Sequence, residues 1–290
     1  MATPEILSGG NPDLKEETSD SFTAGIVLQP TFLPGFTFSA DYFDIDIDDV
    51  ITAPDAQQIM DACYDSADLN NQFCGLFQRW GAAGGPSYVA GTSDPTSDPD
   101  APFALQNGTL QQTLLNYASS TARGIDFEVG YNGNIGELGR LGTRLIYTRV
   151  LQRDDFLDPA HPGDPDQVLY ELGDPKNAFN WNTDFTMGKF KFGYQMRYIG
   201  HMVIDLAENV FSVGGNPPQN ADYAEKKYYP EVIYHDIRAA YDIRDDLSAY
   251  VGVDNLSDRV PPLGLTGVGE GSGIYEVRGR FWYAGFKVGF

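Results

Sequence analysis

Residues Arg278 to Phe290 read RGRFWYAGFKVGF, and from Phe281 onward the stretch alternates with a period of two. Trp282, Ala284, Phe286, Val288 and Phe290 fall on one face, with Gly285, Lys287 and Gly289 on the other. Successive side chains of a strand point to opposite faces, so this is a β-strand with one apolar face and one small or charged face. It stops on an aromatic residue with no polar tail, whereas chain ends in water usually fray. The last strand of a soluble sandwich and the closing strand of a membrane barrel both carry such a row. In a barrel, lipid explains the apolar face, and pairing on both sides explains the abrupt end.

The same alternation recurs along the chain. Residues 18–29 set Phe22, Ala24, Ile26 and Leu28 against Ser21, Thr23 and Gly25, and residues 36–47 set Phe36, Phe38, Ala40 and Tyr42 against Thr37, Ser39 and Asp41. Further strands are expected at 109–131, 141–151, 178–187, 190–199, 232–242 and 247–255. Ser119–Ser120 is a possible break in the first of these, and the stretch near Ala53–Ala62 is a short helix with Pro54 in its first turn. The chain is thus an all-β antiparallel meander of about nine strands.

The connections discriminate between sandwich and barrel. Short links at 30–35, 132–140, 188–189 and 243–246 alternate strictly with long ones at 48–108, 152–174, 203–229 and 256–277. A Greek-key sandwich has no reason to do this, while a transmembrane barrel has short periplasmic turns and long extracellular loops. The polar faces carry charge in mid-strand, at Asp126, Glu128, Asp184, Lys191, Arg197, Asp236 and Arg238, which suits a wet lumen. Tyr42, Tyr131, Tyr147, Tyr198 and Tyr241 fall near strand ends on the apolar face, where interfacial girdles sit. Residues 1–17 are polar and read as an extracellular loop, with the barrel over 18–290.

Nineteen basic against forty-one acidic residues give a net charge of −22, which excludes nucleic acid as a partner. No window of eighteen apolar residues exists, so no helix spans a membrane. The start, MATPEILSGGNPDLKEE, has neither a basic nor an apolar signal region. Bacterial single-chain barrels have an even strand count. Nine strands and no leader together predict the C-terminal part of a larger barrel whose beginning is missing.

Three stretches carry a family resemblance. Asn11-Pro12-Asp13-Leu14 leads through Glu16, Glu17 and Thr18 to Ser19. Asn255-Leu256-Ser257-Asp258 is followed by Pro261-Pro262. Tyr275 is followed by Gly279-Arg280-Phe281-Trp282 and the terminal Phe290. In this order the chain resembles the TonB-dependent outer-membrane receptors, with Glu16 where the family often has Pro and Ser257 where it often has Phe. The motif positions are Asn11, Pro12, Leu14, Asn255, Leu256, Asp258, Pro262, Gly279, Arg280 and Phe290. The resemblance implies a 22-stranded barrel in the outer membrane of a Gram-negative cell, closed by an N-terminal plug. Such a receptor imports a scarce siderophore, cobalamin or oligosaccharide with energy from the TonB complex. Plug, TonB box and the remaining strands are expected outside this chain, so the TonB complex is a partner only through them. A soluble secreted β-sandwich that binds carbohydrate is the alternative.

In that setting Cys63 and Cys74 lie in an extracellular loop, and an oxidising surface favours a disulfide over two free thiols. Without a nearby His they make no zinc site. The acidic runs SDPTSDPD and Asp154 to Asp166 lack calcium-loop spacing and read as solvated surface. His235 falls on the apolar face. His161 and His201 lie near acids in or beside loops, but their spacing specifies no hydrolase. The chain is therefore not expected to be an enzyme, with no catalytic residue, cofactor or metal assigned. Trp80, Tyr88, Phe211, Tyr223, Tyr228 and Tyr229 either stack on a ligand or pack the loops, and none is singled out as a binding residue.

Overall fold

The computed structural model describes residues 5–66, 70–90, 98–222, 225–262 and 273–289. Its elements in chain order are β1 (Ile6–Gly9), β2 (Thr18–Leu28), β3 (Phe36–Thr52), α1 (Ala56–Tyr64), a 3-10 turn (Phe73–Leu76), β4 (Leu110–Thr113), β5 (Leu115–Ile135), β6 (Gly139–Phe156) and β7 (Asp166–Gln167). There follow β8 (Asn177–Met187), β9 (Phe190–Ile199), β10 (Met202–Val203), α2 (Ala207–Val210), β11 (Tyr228–Tyr229), β12 (Val232–Arg244), β13 (Leu247–Asp254) and β14 (Phe281–Val288).

One sheet holds the nine long strands in chain order, β2-β3-β5-β6-β8-β9-β12-β13-β14, with β7 paired to β6 beside that path. This is a meander; a sandwich would divide its strands between two sheets. Among the described residues β2 and β14 are its edges, and the sheet is not closed. Short turns at 29–35, 136–138, 188–189 and 245–246 alternate with long connections at 53–109, 157–176, 200–231 and 255–280. The turn chemistry is local. Gly188 takes φ 56°, and Gly35 takes φ 87° where a Cβ would collide with the Asn132 carbonyl.

Several boundaries differ from expectation. Residues 1–17 are not all loop, because β1 pairs in parallel with β4. The strand at 36–47 continues to Thr52, so the long insertion begins later than residue 48. The strand at 109–131 is interrupted at Leu114, not at Ser119–Ser120, and continues to Ile135. Pro54 precedes the helix and its N-cap Asp55. The last strand starts at Phe281, so Arg278, Gly279 and Arg280 belong to the connection before it.

The chain divides into two compact units, one of Met1–Asp20, Asp46–Ser120 and Asp155–Asp166, the other of Ser21–Ile45, Thr121–Asp154 and Gln167–Phe290. In the first, α1 opens on a capping box: Asp55 accepts from the Gln58 amide at 2.8 Å, and the Gln58 side chain accepts from the Asp55 amide at 2.8 Å. Its core gathers Ile59, Ala62, Cys63, Phe73, Leu76, Phe77, Leu110 and Leu115. Disulfide Cys63–Cys74 joins α1 to the 3-10 turn.

In the second unit the register from β8 to β14 aligns apolar residues in rows. Phe179, Tyr198 and Ile233 form one row, then Trp181, Met196 and His235. Next come Thr183, Tyr194, Ile237, Val253 and Trp282, followed by Phe185, Phe192, Ala239, Val251 and Ala284. Met187, Phe190, Tyr241, Ala249 and Phe286 close the series. From Tyr198 to Phe190 the strand covers roughly 26 Å at ~3.3 Å per residue, the scale of a membrane barrel's ~25 Å apolar band. Large side chains on this face stay open, with Trp282 65% and Phe286 73% exposed.

Candidate functional site

The opposite face of the second unit is polar, and its charges pair with one another and with Glu276 of the connection before β14. Arg144 clamps Glu128 through two bonds of 2.8 and 2.7 Å. Arg238 reaches Asp184 at 2.5 Å across Gly193, whose missing side chain leaves the space that the Arg238 stem crosses. Lys191 meets Asp242 at 2.8 Å, and Arg197 lies 3.6 Å from Asp236 and 3.8 Å from Glu276. Asp126 accepts from the Thr148 hydroxyl at 2.6 Å. All seven mid-strand charges expected to line a lumen therefore have partners. A small polar depression of about 90 Å³ opens among Asn182, Asp184, Gln195, Asp236, Asp254 and Tyr283.

Motif residues converge between β13 and β14. Asn255 is fully buried with φ 50°, a left-handed conformation that Asn tolerates. Its amide side chain both donates to the Arg259 carbonyl and accepts from the Arg259 N–H, each at 2.8 Å. Its own N–H donates to Asp236 at 2.7 Å. Asp258 accepts from the Arg280 N–H at 2.8 Å, while the Arg280 guanidinium donates to the Leu256 carbonyl at 2.9 Å. Gly279 supplies a positive φ of 67° beside them. Five of the ten motif positions thus form one knot. Pro262 is buried nearby in sequence, and Phe290 lies outside the described residues.

The first stretch is tied separately, in the first unit. Asn11 donates to the Leu114 carbonyl at 3.0 Å and accepts from the Asp13 N–H at 2.9 Å. Asn116 then brackets Lys15, accepting from its N–H at 2.8 Å and donating to its carbonyl at 3.0 Å. Leu14 is half-buried and Pro12 exposed.

The three histidines do not meet. His161 pairs with Asp158 at 3.0 Å in the first unit. The Asp158 hydrogen bond and its charge raise the imidazole above its ordinary 6.5. His235 shares a 2.8 Å hydrogen bond with Tyr194 on the apolar face. His201 stacks on Tyr170 with centroids 5.5 Å apart and meets Tyr228 edge-on at 4.9 Å. Phe211 adjoins Tyr228 at 5.7 Å, and Lys176 sits over the Tyr170 ring at 5.4 Å. Of the loop aromatics read from the sequence, Phe211 and Tyr228 therefore join a ladder. Tyr223 lies outside the described residues. Tyr170, held at φ 82°, was not singled out, because its partner is thirty-one positions away and nothing local signals the stack.

Aromatic pairs mark the ends of the apolar band. Tyr198 stacks on Phe179 at 5.1 Å and Tyr147 of the same row on Phe127 at 5.9 Å, while Tyr241 packs on Phe190 at 4.6 Å at the other end; Tyr42, in the middle of β3, packs on Phe22 at 6.4 Å.

Comparison with known proteins follows the same lines. No curated protein sequence matches. The solved siderophore receptor PirA from Acinetobacter baumannii aligns with TM-score 0.59 at 20% identity, over 98% of this chain and 33% of its own. The ferric enterobactin receptor PfeA of Pseudomonas aeruginosa, solved with enterobactin, aligns with TM-score 0.56 at 17% identity, over 97% of this chain and 32% of its own. The ferric-catecholate import receptor Fiu from E. coli K12 aligns with TM-score 0.52 at 14% identity, over 97% and 29%. The chain thus spans about a third of the solved receptors it resembles. The family described as TonB dependent receptor-like, beta-barrel, matches residues 2–256, and the chain belongs to that family.

Proposed function

We propose that this chain is the C-terminal barrel wall of an outer-membrane TonB-dependent receptor that takes up a scarce ligand, of which a ferric siderophore is the class its solved relatives favour. The apolar rows face lipid, and the paired charges face the lumen. Long connections stand outside the cell, and short turns stand in the periplasm. The observation that carries this reading is the strict alternation of short and long links on a nine-strand meander with a bilayer-sized apolar band. Because the chain spans a third of the related receptors, uptake is assigned to the assembled receptor. There the plug and the TonB complex act with this wall. The ladder of Phe211, Tyr228, His201 and Tyr170 offers ring faces to a flat ligand at the long-loop end.

The test is detergent extraction of outer membranes followed by denaturing electrophoresis with and without boiling. A folded membrane sheet migrates faster before heating. Recovery of the whole population as folded, detergent-free protein overturns the reading. Ligand class is then tested by quenching with ferric catecholates against an oligosaccharide series. Loss of quenching in Tyr170→Ala and Tyr228→Ala is expected for the first alone.

A further inference from the structure

The apolar face of the second unit is not uniform. In the middle of the band lies an open depression of about 500 Å³. Its walls are Phe185, Phe192, Ile237, Val251 and Trp282, and its floor dips at Ala239. The register explains the dip. Ala239 stands between Phe192 and Val251 in a row that ends on Ala284, so small side chains interrupt a line of large ones. One row nearer the long connections, Trp282 lies beside Val253, which is 3% exposed.

The polar atoms at the edge are already satisfied. Tyr194 is bonded to His235 at 2.8 Å, and the Thr183 hydroxyl to that of Thr143 at 2.8 Å. The groove therefore offers no free donor or acceptor from these side chains to a polar ligand. It lies across the third and fourth of the band's five rows, which puts it near mid-bilayer depth when the face is in lipid. There the available apolar material is hydrocarbon. We infer that this groove seats one acyl chain of a membrane lipid as a retained ligand, distinct from the exchanging lipid around the rest of the band. The inference rests on the membrane-facing reading proposed above.

Trp282 lines the groove, while Trp181 lies on the same face one row away and outside it. These two residues make the test internal. Trp80 is replaced by Phe, then either Trp181 or Trp282, so that each remaining indole is read alone. Phosphatidylcholine with brominated acyl chains is titrated into the full chain in mixed micelles. Retention predicts saturable quenching of Trp282 at a lower lipid mole fraction than Trp181, by about fourfold for each further methylene buried. Ala239→Leu, or independently Val251→Phe, fills the groove and brings Trp282 onto the Trp181 course. Identical courses in the parent protein overturn the inference, leaving only exchanging lipid. Protection of Trp282 together with a concentration-dependent dimer overturns it in favour of a second copy. If neither indole is quenched, the membrane-facing reading fails as well.

Discussion

Asn255 does two jobs that no other residue type combines as well. It occupies a left-handed backbone position, and it closes a ring of hydrogen bonds around the Arg259 peptide. Replacing it with Ala removes both partners of the Arg259 N–H and C=O and leaves a Cβ at a positive φ without the polar side chain that favours it. We expect a loss of about 3–5 kcal/mol in urea unfolding from lipid vesicles, with Asn255→Gly recovering about 1 kcal/mol because only the bonds are then lost. His161 gives a pH-dependent counterpart. Its folded value is raised by Asp158, so its contribution is complete below about 6.5, the unfolded value, and is lost as pH rises through the folded value. NMR titration should place its midpoint above 6.5, and Asp158→Asn should return it toward that value. At this scale the sequence showed that Asn255, Asp258 and Arg280 matter together, through a motif. It did not show Asp236 as the acceptor of the Asn255 N–H, since nineteen residues separate them and only strand register brings them together.

Among the elements, the insertion after β3 is a small fold in its own right. Its capped helix, 3-10 turn and disulfide share one apolar core with Leu110 and Leu115. Closing a loop of sequence separation 11 stabilises by about 3 kcal/mol in the chain-entropy picture. Reduction should therefore raise amide exchange across 53–109 while leaving β8 to β14 unchanged, as read by mass spectrometry peptide by peptide. The nine long strands were legible from period-two alternation, whereas the short β1, β7, β10 and β11, too brief to show a period, lay in stretches read as loops. Strand ends were not legible. The strand expected at 36–47 runs on through Asp48 and Asp49 to Thr52, because two adjacent acids interrupt the alternation where the strand does not end. The break at Leu114 was also invisible, since it depends on β4 pairing with the distant β1.

Across the whole molecule, the apolar rows predict a depth profile. Ile233 lies in the row of Tyr198 at the band's rim, and Ile237 lies two rows inward. Ile237→Arg should cost about 2–4 kcal/mol and Ile233→Arg about 0–1 kcal/mol in vesicle unfolding. Equal costs would mean that the face meets water. The edges of the sheet carry a further consequence, one of parity. Directions alternate along the nine strands, so β2 and β14 run the same way. Neither can serve the other as an antiparallel neighbour, and a copy rotated about the membrane normal presents the same mismatch. An antiparallel wall closes only on an even total. A closed antiparallel wall that includes the nine described strands therefore takes an odd number of further strands, and a polypeptide supplying them starts and ends on opposite rims of that wall.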